Sequence, residues 1–341
     1  MNRTNWTKKL TVLLAAICVA LVGLSSFTPA GAREWLLQVE GVPVSRAVYG
    51  YFLSEALRDT ELNENGRPKD MAALRKDVAA RCVEYIAVNS ELRAMEIPVD
   101  QMLKAQAAER TAFYWRVFGR YYSSIGVDKQ TINAIQMWQA ARDQLFRAIY
   151  DTGGTHPTSE EALQAYFYGS FVAYDGVRVF RTALQEDGSE RDMTPEEAAA
   201  LKATLADFVE AANEVGEFYS VAQEERFADA LSYGMPSVTV AERADGDAIG
   251  GGEGLNAEDF EKVRALPRDK ITLLDLQDFL LVATGVEMRE SEDEYYRGYR
   301  AACLWALQGE AYAEAIKALC ARFRADENVA ALDKFYKEWK S

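Results

Sequence analysis

Apolar residues recur at helical spacing over most of this chain and switch to alternation with polar residues in only a few stretches. Trp35 to Val39 reads as a strand and Gly41 to Pro43 as a turn. Ser45 then caps a helix whose Val48, Tyr49, Phe52, Leu53 and Leu57 follow the helical period. Residues 59–68 are polar and predict a loop. A second helix over residues 70–95 places Leu74, Val78, Cys82, Tyr85, Ile86 and Val88 on its apolar side and stops before Ile97-Pro98. Asp100 opens a third helix through Tyr122, and a fourth runs from Lys129 to Tyr150 and ends at Gly153-Gly154. Thr158 and Glu161 have the spacing of a capping box for a fifth. The first 170 residues therefore predict a helical array.

The period changes at "DGVRVFRTAL", residues 175–184. Asp175-Gly176 reads as a turn, after which Val177, Val179 and Arg181 alternate with Arg178, Phe180 and Thr182. Thr194, Pro195 and Glu197 form a second capping box for an amphipathic helix to Val215, and residues 216–231 are a further short helical piece. A glycine-rich loop covers residues 245–256. A short helix around Phe260–Leu266 follows, then a turn at 267–270 and two alternating stretches, 270–276 and 278–286. Ser291 and Glu294 cap a long last helix to Phe323, and in the tail Val329 to Leu332 reads as a strand. The fold class that follows is mainly α with an inserted α+β domain. Its parts are residues 33–173, a helical N-terminal domain; 174–288, the α+β module; and 289–341, a C-terminal helix and tail.

The first 32 residues stand apart. Arg3, Lys8 and Lys9 precede an uncharged apolar run from Leu10 to Leu24, which closes at Ala30-Gly31-Ala32, a small-x-small cleavage pattern. The run is shorter than the roughly 20 residues that span a bilayer, so a cleaved secretory signal is preferred to a permanent anchor, which would tether the chain to a membrane. Ile17 is too large for lipoprotein cleavage before Cys18. An extracytoplasmic location is expected on either reading.

Without that segment, 35 Lys and Arg face 53 Asp and Glu, a net charge of −18. Nucleic-acid phosphates would be repelled by such a chain. The 341 residues, 49% of them hydrophobic, suffice for more than one core. Cys82, Cys303 and Cys320 are odd in number and lie in helical apolar contexts, which predicts buried free thiols rather than a disulfide framework.

Several stretches resemble one family. "LLQVEGVPVSRAVYGYFL" resembles the "V-N-G-x-x-I-S-x-x-x-F" opening of the SurA and PrsA type of extracytoplasmic foldases, with Glu40 where asparagine is usual. "CVEYIAVNSELRAMEIPVD" is similar to their second helix and its closing turn, with Glu96 in place of glycine. "YDTGGTHPTSEEALQAYFYGSF" resembles the entry into their parvulin-like (PpiC-type) peptidyl-prolyl isomerase domain, and "ENVAALDKFY" the returning C-terminal segment that packs on the N-terminal domain. The resemblance spans nearly the whole chain after residue 32. It implies a SurA-N-like helical chaperone domain completed by the C-terminal helix, a parvulin-like module between, and unfolded or extended polypeptides as clients.

It also implies where a prolyl-isomerase pocket would lie. The family's first strand normally reads "R-H-I-L", and here the stretch is "RVFRTAL"; its last normally carries "G-x-H-I-I", and here it is "QDFLLVA". Phe180 or Thr182 stands where the first histidine would point, and Phe279 or Leu280 at the second. The sole histidine, His156, lies in the preceding linker and replaces neither. Isomerisation makes and breaks no covalent bond; the pocket has only to grip proline and lower a rotational barrier of roughly 18–20 kcal/mol. Apolar walls supply grip without the usual polar floor, so weak activity at most is expected. "GGGEG", residues 250–254, occupies the place of the family's "GGDLG" turn and lacks the lysine and spacing of a phosphate loop.

The candidate client surface is "FYWRVFGRYY", residues 113–122. Tyr114, Phe118, Tyr121 and Tyr122, with Trp115 beside them, form a broad aromatic strip mixed with arginines. Packing as core against the helices at 70–95 and 129–150 is the default expectation for such a face. Glu290, Glu292, Asp293 and Glu294 lack the spacing of a calcium loop and suit a helix N-terminus, so no metal is expected. One linker histidine leaves no base for a serine or cysteine hydrolase, and no cofactor motif is present. A fixed-partner envelope scaffold with foldase architecture is the second function class. No residue pattern specifies the oligomeric state.

Overall fold

The computed structural model describes residues 35–61, 68–185, 189–231, 234–244, 253–288 and 292–339. The N-terminal apolar segment, most of the 59–68 loop, most of the glycine-rich stretch and the Ser291 cap lie outside the described residues. The elements in chain order are β1 (Leu37–Val39), β2 (Val42–Pro43), α1 (Arg46–Arg58), α2 (Met71–Ala94), α3 (Gln101–Ser124), α4 (Lys129–Tyr150) and α5 (Glu160–Ser170). There follow β3 (Phe171–Phe180), β4 (Thr182–Leu184), β5 (Glu190–Asp192), α6 (Pro195–Val215), α7 (Phe218–Ala222), β6 (Ser237–Arg243), β7 (Glu253–Leu255) and α8 (Ala257–Arg264). The chain ends with β8 (Thr272–Asp275), β9 (Phe279–Val286), α9 (Glu292–Cys320), β10 (Ala325–Glu327) and α10 (Val329–Glu338). It is a mainly helical protein with one mixed sheet of substance. No described helix is long and apolar enough to cross a membrane.

Residues divide into two compact units, one through Pro157 together with Glu310 onward, the other Thr158–Gly309. The breaks precede α5 and fall within α9, whereas the boundaries expected from the sequence, 173/174 and 288/289, fall within β3 and just after β9.

In the first unit the helix starts are set by side-chain caps. Ser45 accepts from the Val48 N–H, Asp70 from Ala72 and Ala73, Asp100 from Met102, and Asp128 from Thr131. α2 closes in a Schellman turn: the Ile97 N–H reaches the Leu92 carbonyl at 3.0 Å while Glu96 takes φ +56°. β1 and β2 meet in a hairpin through Glu40 (φ +50°) and Gly41 (φ +77°). β10 pairs with the other side of β1, Leu37 opposite Glu327 and Val39 opposite Ala325. The tail then turns helical at Asn328, which accepts from the Ala331 N–H. The strand expected at Val329–Leu332 is therefore a helix, and the strand lies just before it. Leu332 and Phe335 of α10 are buried, with Phe335 edge-on to Tyr49 at 5.5 Å. Phe52 packs edge-on to Trp138 of α4 at 5.5 Å. α3 and α4 pack together through Leu103, Ala107 and Ala140, with Met137 partly buried against them.

The second unit is built on a five-stranded sheet ordered β7-β6-β3-β9-β8, antiparallel except for the β6–β7 pair. β3 is central and longer than its sequence suggested, beginning at Phe171. Asp175-Gly176 is no turn: Gly176 pairs with Ser237 on one side and Ala283 on the other. A Cβ there would fall on the Ala283 side chain and the Val282 carbonyl oxygen, so glycine is required by the close approach of two backbones. One face buries Val177, Val179, Leu280 and Val282 beneath Leu205 and Phe208 of α6 and Phe218 of α7. The other buries Tyr174, Leu281 and Ala283 beneath Phe260 and Val263 of α8.

Caps again explain local starts. The Thr194–Glu197 capping box of α6 is present, and bonds from Arg191 and then Thr194 hold the exposed Glu197 carboxyl down to about 2. At α5 the cap is Ser159 rather than Thr158; Thr158 is buried, and the Ser159 hydroxyl accepts from Ala162. Residues 216–231 break into α7 and a 3-10 turn at Glu225–Phe227. β6 had no counterpart in the sequence reading.

Candidate functional site

Two surfaces carry the residues singled out from sequence, one in each unit. In the helical unit, α3 buries the row Leu103, Ala107, Thr111 and Gly119. Of the five aromatic candidates, Trp115 is half-buried against Gly119, and Tyr122 is buried, its ring stacked on Tyr51 at 6.0 Å. Burial also pushes the Tyr122 hydroxyl above its ordinary range, with the Glu55 charge adding to it. Tyr114, Phe118 and Tyr121 remain exposed, which departs from the default expectation of core packing. Two residues not singled out join them: Phe113 at 50% exposure and Val117 at 51%, matching Tyr121 at 51%. Their four-residue spacing, 113-117-121, was the signal for this row; attention to aromatic rings alone hid the valine. Adjacent rings touch, Phe113 to Tyr114 at 5.7 Å and Tyr114 to Phe118 at 6.1 Å. The result is a contiguous apolar ridge on the solvent side of α3.

In the sheet unit, the register separates the four pocket candidates. Phe180 and Phe279 pair across β3 and β9 on the same face, rings 5.9 Å apart and edge to face. Phe180 is 41% exposed and Phe279 only 7%. The Arg178 guanidinium lies 5.7 Å from the Phe279 ring centroid. Leu280 belongs to the opposite face, buried with Val177 and Val179, because neighbouring residues of a strand alternate sides. Thr182 has left the sheet: β3 stops at Phe180, and Thr182 pairs with Asp192 in the β4–β5 hairpin. Of the "GGGEG" turn, Glu253 and Gly254 form part of β7, and the rest lies outside the described residues. The His156 N–H bonds the Ile149 carbonyl at 2.7 Å in the turn after α4.

The corner beside the Phe180–Phe279 pair is held by charges that the sequence did not single out. Arg181 reaches Asp275 and donates to the Leu276 and Gln277 carbonyls at 2.9 and 3.1 Å. Lys202 of α6 bonds the other Asp275 oxygen at 2.6 Å, and this bond, with Arg181 nearby, keeps the Asp275 carboxyl below its ordinary range. Asp259, buried in α8, accepts from the Gln277 N–H at 2.7 Å, from Asn256 at 2.9 Å and from Lys262 at 2.9 Å. Burial opposes its ionisation, yet these bonds together win and its pKa falls below the usual carboxylate range. The β8–β9 turn is thereby fixed next to the two rings. Chemically the face offers an aromatic floor and one guanidinium; neither residue paired at its centre can exchange a proton.

No family model matches the chain, and no curated protein matches it. Among solved structures it is similar to foldase protein PrsA from Streptococcus pneumoniae str. Canada MDR_19A, with 14% identity over 82% of this chain and all of that one, at a TM-score of 0.42. It is also similar to foldase protein PrsA from Lactococcus lactis, with 8% identity over 90% of this chain and all of that one, at a TM-score of 0.37.

Proposed function

We propose that this protein is an extracytoplasmic folding factor that holds unfolded or extended polypeptide segments without ATP. The observation that carries the reading is the exposed ridge on α3. Apolar side chains left in water there are half-buried already, ordered by the helix, and free to cover apolar segments of many shapes at small entropic cost. The family resemblance of the sequence and its secretory N-terminal pattern support the same role. The Phe180–Phe279 face of the second unit serves as a further apolar binding surface, with prolyl isomerisation at most a slow accompaniment, since the paired rings supply grip and no polar floor.

The ridge is tested by the Phe113→Ser/Tyr121→Ser double variant in an aggregation assay with a chemically unfolded client. Covering each half-exposed side chain is worth about 1 kcal/mol, so the double variant should need at least about tenfold more protein for the same protection. Protection equal to wild type would refute the assignment. Lack of protection by the wild-type protein, with capture of a single envelope protein instead, would favour a fixed-partner scaffold.

A further inference from the structure

Beside the apolar row of α3 runs a row of positive charge without ion-pair partners among the described residues. Arg116 and Arg120 follow Phe113 and Val117 by one helical turn each, so the two rows lie side by side. The Arg116 guanidinium is 5.7 Å from the Phe113 ring centroid. Both arginines are exposed, and neither takes part in an ion pair among the described residues. Four arginines elsewhere in the same unit are committed to carboxylates: Arg46 to Glu338, Arg75 to Asp333, Arg81 to Asp59 and Arg322 to Glu91. On α3 the only carboxylate is Glu109, against Lys104, Arg110, Arg116 and Arg120; Arg110 faces Asp143 of α4 and is not part of the free row. A chain of net charge −15 thus keeps these two cations alongside the exposed apolar ridge of α3.

We propose that the ridge selects polypeptide segments that carry aspartate or glutamate beside their apolar side chains, the apolar ones covering Phe113, Val117 and Tyr121 and the carboxylates meeting Arg116 and Arg120. This rests on the reading of the ridge as a polypeptide-binding surface and adds its specificity. Guanidinium groups suit the partner chemistry, because their planar donors match a carboxylate with two parallel hydrogen bonds. The overall negative charge repels acidic segments at long range, so the attraction has to be local and short-ranged. Lysine-bearing segments, drawn to the chain in general, are rejected at this row.

The test uses the full chain and three fluorescent peptides with the same Phe and Leu positions, flanked by Asp, Asn or Lys, titrated by anisotropy at low and high salt. The expected order of affinity is Asp, Asn, Lys. Two exposed ion pairs correspond to about a fivefold gain of Asp over Asn at low salt, shrinking at about 0.5 M salt. The Arg116→Gln/Arg120→Gln variant should abolish the preference for Asp over Asn, whereas Phe113→Ser/Tyr121→Ser should weaken all three. Circular dichroism checks that both variants stay folded. Equal binding of the three peptides, still lost in the Phe113/Tyr121 variant, would overturn the charge selection and leave the apolar reading standing. Binding of none would overturn both. Arginine-dependent binding to phosphatidylcholine vesicles containing phosphatidylglycerol, which the Asp peptide fails to displace, would overturn the proposal in favour of a lipid surface.

Discussion

Two backbone positions carry conformational strain at the scale of single residues. Glu40 and Glu96 both adopt positive φ, where glycine is favoured. A side chain in the left-handed region costs about 1 kcal/mol or more. Glu96→Gly is therefore expected to stabilise the chain by about 0.5–1 kcal/mol in urea unfolding, after the entropy glycine adds to the unfolded state. The same change at Glu40 should gain less, because the Glu40 carboxylate accepts from the Arg324 N–H at 2.6 Å and ties the hairpin to the tail. Gly176 is the opposite case. Its φ is ordinary, and the constraint is space: an alanine Cβ would also lie 2.8 Å from the Ala283 Cα. Gly176→Ala should cost about 1–3 kcal/mol, at the upper end because both obstacles belong to β9, a strand paired on both edges.

At the scale of elements, the β8–β9 turn depends on an ionised group. Since hydrogen bonds depress the Asp259 pKa in the folded state, its stabilisation is complete above the ordinary carboxylate range and is lost as pH falls through the folded value. Urea midpoints measured between about pH 6 and pH 3 should thus fall less steeply in Asp259→Asn than in wild type. The tail is the other dependent element. α10 is short, and its place is fixed by Leu332 and Phe335 rather than by propensity. Phe335→Ala removes a ring packed against Tyr49 and Trp339 and should cost about 3–5 kcal/mol, seen as a lower Tm by circular dichroism.

For the molecule as a whole, the sheet unit has cores on both faces of its sheet, each closed within residues 158–309. A fragment of those residues should unfold cooperatively on its own, as a single calorimetric transition; a broad, non-cooperative melt would mean that the unit depends on the rest of the chain. The three thiols among the described residues, Cys82, Cys303 and Cys320, resist chemistry for the same reason that cores are stable. Burial raises all three, Cys303 and Cys320 to about 11, so alkylation at neutral pH should be slow until urea is added.

Much of this was legible in the sequence, because helix starts and the helical period are local. Ser45, Asp70, Asp100 and the Thr194–Glu197 box mark their helices through bonds that span three residues or fewer, and the mainly helical class with an α+β insertion follows from the same pattern. What depended on distant partners was not legible. The sequence could not say that Gly176 is pressed by Ala283, that Ala325–Glu327 becomes a strand because β1 offers an edge, or that Ser237–Arg243 pairs with β3. Nor could periodicity decide the fate of the aromatic strip. It placed Tyr114, Phe118 and Tyr121 on one helix face, but burial depends on whether another element covers that face, and register alone assigns Phe180 and Phe279 to one side of the sheet and Leu280 to the other. Local bonds are written along the chain; coverage and register are properties of the packed whole.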